Sequence, residues 1–153
     1  MKFLFREDSV PNHPNLLAVD NAPSVEMTIT KKPAQLVFIG EHSGRTFPKK
    51  LAAYSPQDLE MSKHIAFDIG AEQIVLCMAK TLGAPLIFQR HSCLVIDCNR
   101  PRIAQKLCSK CVDGTNIGFN KNLCNSKLEQ RWQAIHQALA KGCAVLLRNK
   151  PEI

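Results

Sequence analysis

Four groups of side chains in this sequence have types and spacings that could do chemistry. The first is His42, in the polar turn Glu41-His42-Ser43-Gly44-Arg45 directly after the apolar run Gln35 to Gly40. An imidazole leaving a buried strand is placed to meet a metal ion or a substrate, and Arg45 beside it could meet an acidic ligand; a solvated imidazole in a turn is the plainer alternative. The second is Lys63-His64-Ile65-Ala66-Phe67-Asp68-Ile69-Gly70. On a helix His64 and Asp68 would share one face, where they could bind one divalent ion or pair with each other. Equally, Asp68 could serve only a helix dipole, with His64 unrelated. The third is Ile96-Asp97-Cys98-Asn99-Arg100-Pro101. The Arg100 guanidinium is a planar fork that grips a carboxylate with two hydrogen bonds, and Asn99 adds a neutral donor. Such a clamp suits an acidic amide substrate, although a surface salt bridge would use the same residues.

The fourth group is cysteine. Cys98, Cys108, Cys111 and Cys124 are the members; Cys108 and Cys111 form a CxxC pair, and a tetrahedral zinc could be built with Cys124 and one more ligand. The pattern lacks a second CxxC or a paired CxxH, and no thioredoxin-like strand precedes it, so neither structural zinc nor redox chemistry is favoured. With no export signal, a disulfide framework is not expected from the seven cysteines.

The elements that must position these groups follow an α/β order. Residues 1–34 carry four of the prolines and read as an irregular arm, with a short edge strand at Val25 to Thr30. Residues 35–153 read as one domain. Gln35 to Gly40 suits a buried strand. Ser55-Pro56 is a helix start. A helix is expected from Asp68 to Leu82, with Ala71, Ile74, Val75, Met78 and Leu82 as its apolar stripe and Gly83 as its stop. Strands are expected at Pro85 to Phe88 and Leu94 to Cys98, followed by a long polar loop. The Ser126-Lys127-Leu128-Glu129 pattern predicts a capping box opening a helix to Lys141, and Cys143 to Leu147 reads as a last strand. A three-layer mixed sheet with helices on both faces follows. His42 and the Asp97-to-Arg100 motif then fall at the carboxyl ends of strands, where α/β sheets gather their chemistry.

Composition limits the functional classes. At 153 residues, 45% hydrophobic and 22% charged, the chain is ordinary for one soluble domain. The net charge of +7 is spread over scattered lysines and arginines, with aromatics at 6%, and no RNP-like stretch supports nucleic-acid binding. No apolar run reaches the roughly 18 residues of a membrane span. The amino terminus turns charged after three apolar positions, short of the about 7–15 that a signal peptide needs. A cytoplasmic protein with no membrane or nucleic-acid partner is the expectation.

Four stretches, in order and in register, resemble the N-formylglutamate amidohydrolase family: LVFIGEHSGRTFP at 36–48, HIAFDIGAEQI at 64–74, LVIDCNRP at 94–101 and DGTNIGFNKNL at 113–123. The resemblance implies a hydrolase fold related to zinc carboxypeptidases and hydrolysis of an N-acyl amide on an acidic amino acid. It implies a zinc-type metal held by His42, Asp68 and His64, and a substrate carboxylate met by Asn99, Arg100 and Arg45. Two departures stand out. His91-Ser92-Cys93 replaces the family's Tyr-Ser-Arg, and the family's later His-Ser-Phe-like motif has no counterpart, so the chain reads as incomplete at its carboxyl end. The alternatives are a non-catalytic remnant of that fold acting as a binding module and a small cysteine–zinc nucleic-acid binder.

Overall fold

The computed structural model describes residues 2–3, 25–30, 36–48, 51 and 63–148. The expected helix start at Ser55-Pro56 lies outside the described residues. A mixed four-stranded sheet organises the chain, in the order β1 (Lys2–Phe3), β2 (Val25–Ile29), β4 (Leu86–Gln89), β3 (Phe38–Gly40). β2 runs antiparallel to β1 and β4, and β3 runs parallel to β4. The strand expected in the amino-terminal arm is β2, and it lies between two others rather than at an edge. β3 instead ends the order, which leaves Ile39 43% exposed where full burial was expected.

β4 is buried along its whole length, and its pleat sends alternate side chains to opposite faces. Leu86 and Phe88 pack against Val75 and Ala79 of α1 (Ala71–Leu82). Ile87 faces the other way, into the cluster that includes Leu139 and Leu146 of the carboxyl-terminal helix. Helices thus cover both faces, in a mixed α/β arrangement.

Two glycines bound α1. Gly70 and Gly83 both take left-handed φ, 88° and 61°, and the Gly83 and Ala84 amides return to the carbonyls of Lys80 and Ala79. This pairing closes the helix as a Schellman motif and explains the stop at Gly83. The expected apolar stripe is corrected in part: Val75 meets the sheet as expected, with Ala79 beside it, but Ile74, Met78 and Leu82 lie on the exposed side, at 62%, 46% and 61%. Both faces of α1 carry apolar residues, so periodicity alone could not choose between them.

Leu94 to Cys98 is not a strand. Ser92 Oγ accepts from the Leu94 amide at 3.1 Å and the Val95 amide returns to Ser92 O at 2.9 Å, so the segment coils into turns while staying buried. The loop expected after it contains a hairpin, β5 (Cys111–Val112) and β6 (Thr115–Asn116), and a 3₁₀ turn at Gly118–Asn120. Asp113-Gly114 makes the hairpin turn, both residues with positive φ.

The last helical region is α2 (Asn125–Trp132), a π turn (Gln133–Gln137) and α3 (Ala138–Arg148). Cys124, not Ser126, is the N-cap, and no capping box forms. Glu129 turns instead to Arg102 and Gln133. The strand expected at Cys143 to Leu147 is helix: Leu139, Cys143 and Leu146 recur at helical spacing and pack on one cluster.

Candidate active site at the carboxyl ends of the strands

β3 and β4 are parallel, so their carboxyl ends open on the same rim of the sheet. The turn after β3 is built from His42-Ser43-Gly44, and each residue has a separate task. His42 takes a left-handed φ of 55°, unusual for a residue with a side chain. Ser43 is buried, and its Oγ lies within hydrogen-bond distance of the carbonyls of Gly40 at 2.7 Å and Gln89 at 3.2 Å, tying the turn to the strand ends. Gly44 lets the chain pass against Arg90, after which the Thr46 amide donates to the Arg90 carbonyl and the Ser92 amide to the Thr46 carbonyl, both at 3.0 Å.

Held in this way, the His42 ring reaches two carboxylates. Nε2 lies 2.7 Å from Asp97 Oδ1 and Nδ1 lies 3.5 Å from Asp68 Oδ1. The His42 and Asp97 side chains are only 17% and 15% exposed, whereas Asp68 is 64% exposed. Asp97 is an acceptor on every side: the Asn99 amide donates to Oδ1 at 3.2 Å and Arg100 Nε donates to Oδ2 at 2.6 Å. His42 Nε2 is therefore the donor in its bond with Asp97, and the neutral ring carries its proton there. The Nδ1 lone pair then faces the Asp68 carboxylate. Two such electron-rich groups 3.5 Å apart repel unless a proton or a metal cation stands between them.

The structure thus brings together His42, Asp68, Asn99 and Arg100. Arg100 keeps its outer edge toward solvent, with its side chain 45% exposed. Arg45 does not join the cluster; its guanidinium carbon sits 4.0 Å from the centre of the Phe67 ring, one residue before Asp68. His64 is also apart. Residues 63–67 form turns rather than a helix, so the four-residue spacing does not align His64 with Asp68, and His64 Nε2 pairs with Asp113 at 2.7 Å on the surface.

Sequence reasoning did not assign two residues of the cluster. Asp97 lies within the motif whose Arg100 offers the carboxylate clamp, and its role as hub is set by the fold. Gln89 is fully buried and hydrogen-bonded at both ends of its amide; a polar residue closing an apolar strand was the available signal. Around them burial pushes the Cys98 thiol up to about 12, with Glu41 and Asp97 adding to the shift, so Cys98 stays an S–H donor, and its partner is Gln89 Oε1. Cys93 is likewise pushed up to about 12, by burial first and then by the charges of Asp97 and Asp68.

The cysteines do not assemble a centre of their own. Cys98 and Cys108 are buried, Cys111 and Cys124 are exposed, and all seven are free thiols. Among the described residues no three His, Cys, Asp or Glu side chains are arranged to hold an ion by themselves. The nitrogen of His42 and the oxygen of Asp68 fit a zinc-type cation in kind, with Asp97 in the place of the outer carboxylate that orients a metal-binding histidine. They are two donors where catalytic zinc keeps three. No described helix is long and apolar enough to cross a membrane.

The family model described as N-formylglutamate amidohydrolase matches residues 34–146. No curated protein matches the chain. Among solved structures, the crystal structure of gene product Atu2144 from Agrobacterium tumefaciens is similar, with a TM-score of 0.70 and 25% sequence identity. The similarity covers 80% of this chain and 50% of that one, so this chain spans about half the length of that relative.

Proposed function

Because the chain belongs to the N-formylglutamate amidohydrolase family, we propose that it is an amidohydrolase-like protein acting on an N-acyl amide of an acidic amino acid. The observation that carries this reading is the pairing of His42 with Asp97, which turns the Nδ1 lone pair toward Asp68 and holds Arg100 on the same carboxylate. A zinc-type ion would be held by His42 Nδ1 and Asp68, within a hydrolase fold of the zinc-carboxypeptidase type. When bound, such an ion polarises an amide carbonyl and brings the pKa of its water to near 7.

The chain's own residues do the rest. Asp97 keeps the His42 proton on Nε2 and so reserves Nδ1 for the cation side. Arg100, anchored through Nε, offers its outer nitrogens to the carboxylate of an acidic substrate, and the exposed Asn99 stands beside it.

Purified chain, supplied with Zn²⁺ and N-formyl-L-glutamate, should release formate, and His42→Ala and Arg100→Ala should each abolish or severely reduce it. Binding of Zn²⁺ and of the substrate without formate release would favour the non-catalytic binding module instead. A folded chain that binds neither would overturn the proposal.

A further inference from the structure

We propose that Gln89 is a positioning residue: its buried amide sets the place of the His42 ring relative to Asp97. Gln89 ends β4 and has no exposed surface. Its Nε2 donates to the carbonyls of His91 at 3.0 Å and Ile96 at 3.3 Å. Its Oε1 accepts from the His42 backbone amide at 3.5 Å and from the Cys98 thiol. The partners fix the orientation of the amide, since two carbonyls require the NH₂ end and an N–H and an S–H require the oxygen end.

This one side chain therefore joins the two segments that must meet. On one side is the turn carrying His42, held in a left-handed conformation that a residue with a side chain adopts only under constraint. On the other is the coiled segment 91–98, which carries Asp97. That segment meets the turn at its start through the Thr46–His91 bridge, and Gln89 spans it from His91 to Ile96. The His42 carbonyl is held separately by the Asp68 amide at 2.9 Å. With both backbone groups anchored, the imidazole projects from a fixed point toward Asp97. Without the amide, a shift of well under 1 Å between the segments would lengthen the 2.7 Å bond that determines the ring's tautomer.

The role rests on reading His42 and Asp97 as the site, and its test does not depend on hydrolysis. Gln89→Met removes both polar ends, and Gln89→Asn keeps an amide one methylene too short to span the two segments. In ¹⁵N-labelled full chain, long-range ¹H–¹⁵N spectra of the His42 ring should show a single Nε2–H tautomer in the parent and a tautomer mixture in both variants. Zinc affinity, measured with the metal alone, should fall by about 10–100-fold, the effect typical of losing an outer support. Val75→Ala, which destabilises the fold on the α1 side of the sheet, should leave the ring spectrum unchanged. If Gln89→Met does not fold, Gln89→Asn decides. Folded variants that keep the parent's ring spectrum and zinc affinity would overturn the proposal. A parent that releases no formate, with the ring spectrum still shifting in the variants, would leave Gln89 in place and remove only the hydrolytic reading.

Discussion

Gly44 lies directly against the backbone of Arg90: a Cβ at position 44 would stand 2.1 Å from both the carbonyl carbon and the carbonyl oxygen of Arg90. No side chain is free to move aside, because the obstacle is main chain. Gly44→Ala should therefore push the His42 turn off the strand ends and cost about 1–3 kcal/mol. Urea denaturation measures the loss, and a stability within 0.5 kcal/mol of the parent would show that the two segments are not in contact.

Asp97→Asn tests the carboxylate hub. The amide can still meet the His42 ring, but it no longer imposes Nε2–H and no longer attracts the Arg100 guanidinium. Zinc binding should weaken by about 10–100-fold, as for other outer carboxylates of metal-binding histidines. Titration calorimetry with Zn²⁺ checks this, and an unchanged affinity would place the metal elsewhere.

His91 gives a pH signature. It is 1% exposed, and burial lowers its pKa from 6.5 to about 4, only partly offset by its hydrogen bond with Thr46. Between those values the unfolded chain binds the proton and the folded chain does not. Stability is then full above pH 6.5 and falls as the pH drops toward 4, by about 3 kcal/mol from this group. Arg131, itself buried and bonded to the Val95 and Phe119 carbonyls and the Asn120 side chain, lines the same small cavity and brings no negative charge to it. Urea midpoints measured from pH 7.5 to 4 should show the fall, and His91→Gln should flatten it.

The two sides of α1 should answer differently to substitution. Ile74→Lys should change stability by no more than about 0.5 kcal/mol, because Ile74 is mostly exposed. Val75→Ala removes a side chain packed beside Leu86, Phe88 and Ala79 and should cost about 2 kcal/mol. Equal effects from the two variants would contradict the packing of this helix.

The sequence by itself determined the family, through four ordered motifs, and the places where local chemistry leaves little choice. Gly83 ends its helix because a left-handed residue is needed there, and Leu86 to Phe88 is strand because a short β-rich run must be buried. Where side chains could serve either of two local structures, the tertiary structure decided. Leu94 to Cys98 is as apolar as a strand, but Ser92 captures its amides into turns; Cys143 to Leu147 joins a helix because its neighbours share one cluster. On α1, Val75 faces the sheet as its apolar spacing suggests, but Ile74, Met78 and Leu82 face outward, because both sides are apolar and only the position of the sheet distinguishes them.

The site divides along the same line. His42, Asp68 and Arg100 were legible from residue type and motif, but their meeting is a long-range event: Asp97 lies 55 residues from His42, and nothing local specifies that distance. His64 would share a face with Asp68 only on a helix and Arg45 only neighbours His42 in sequence, and the turn at 63–67 and the Phe67 ring hold both away from the cluster. The roles of Gln89 and Asp97 were set by the fold, because a hydrogen-bond hub is defined by what surrounds it and not by its own residue type.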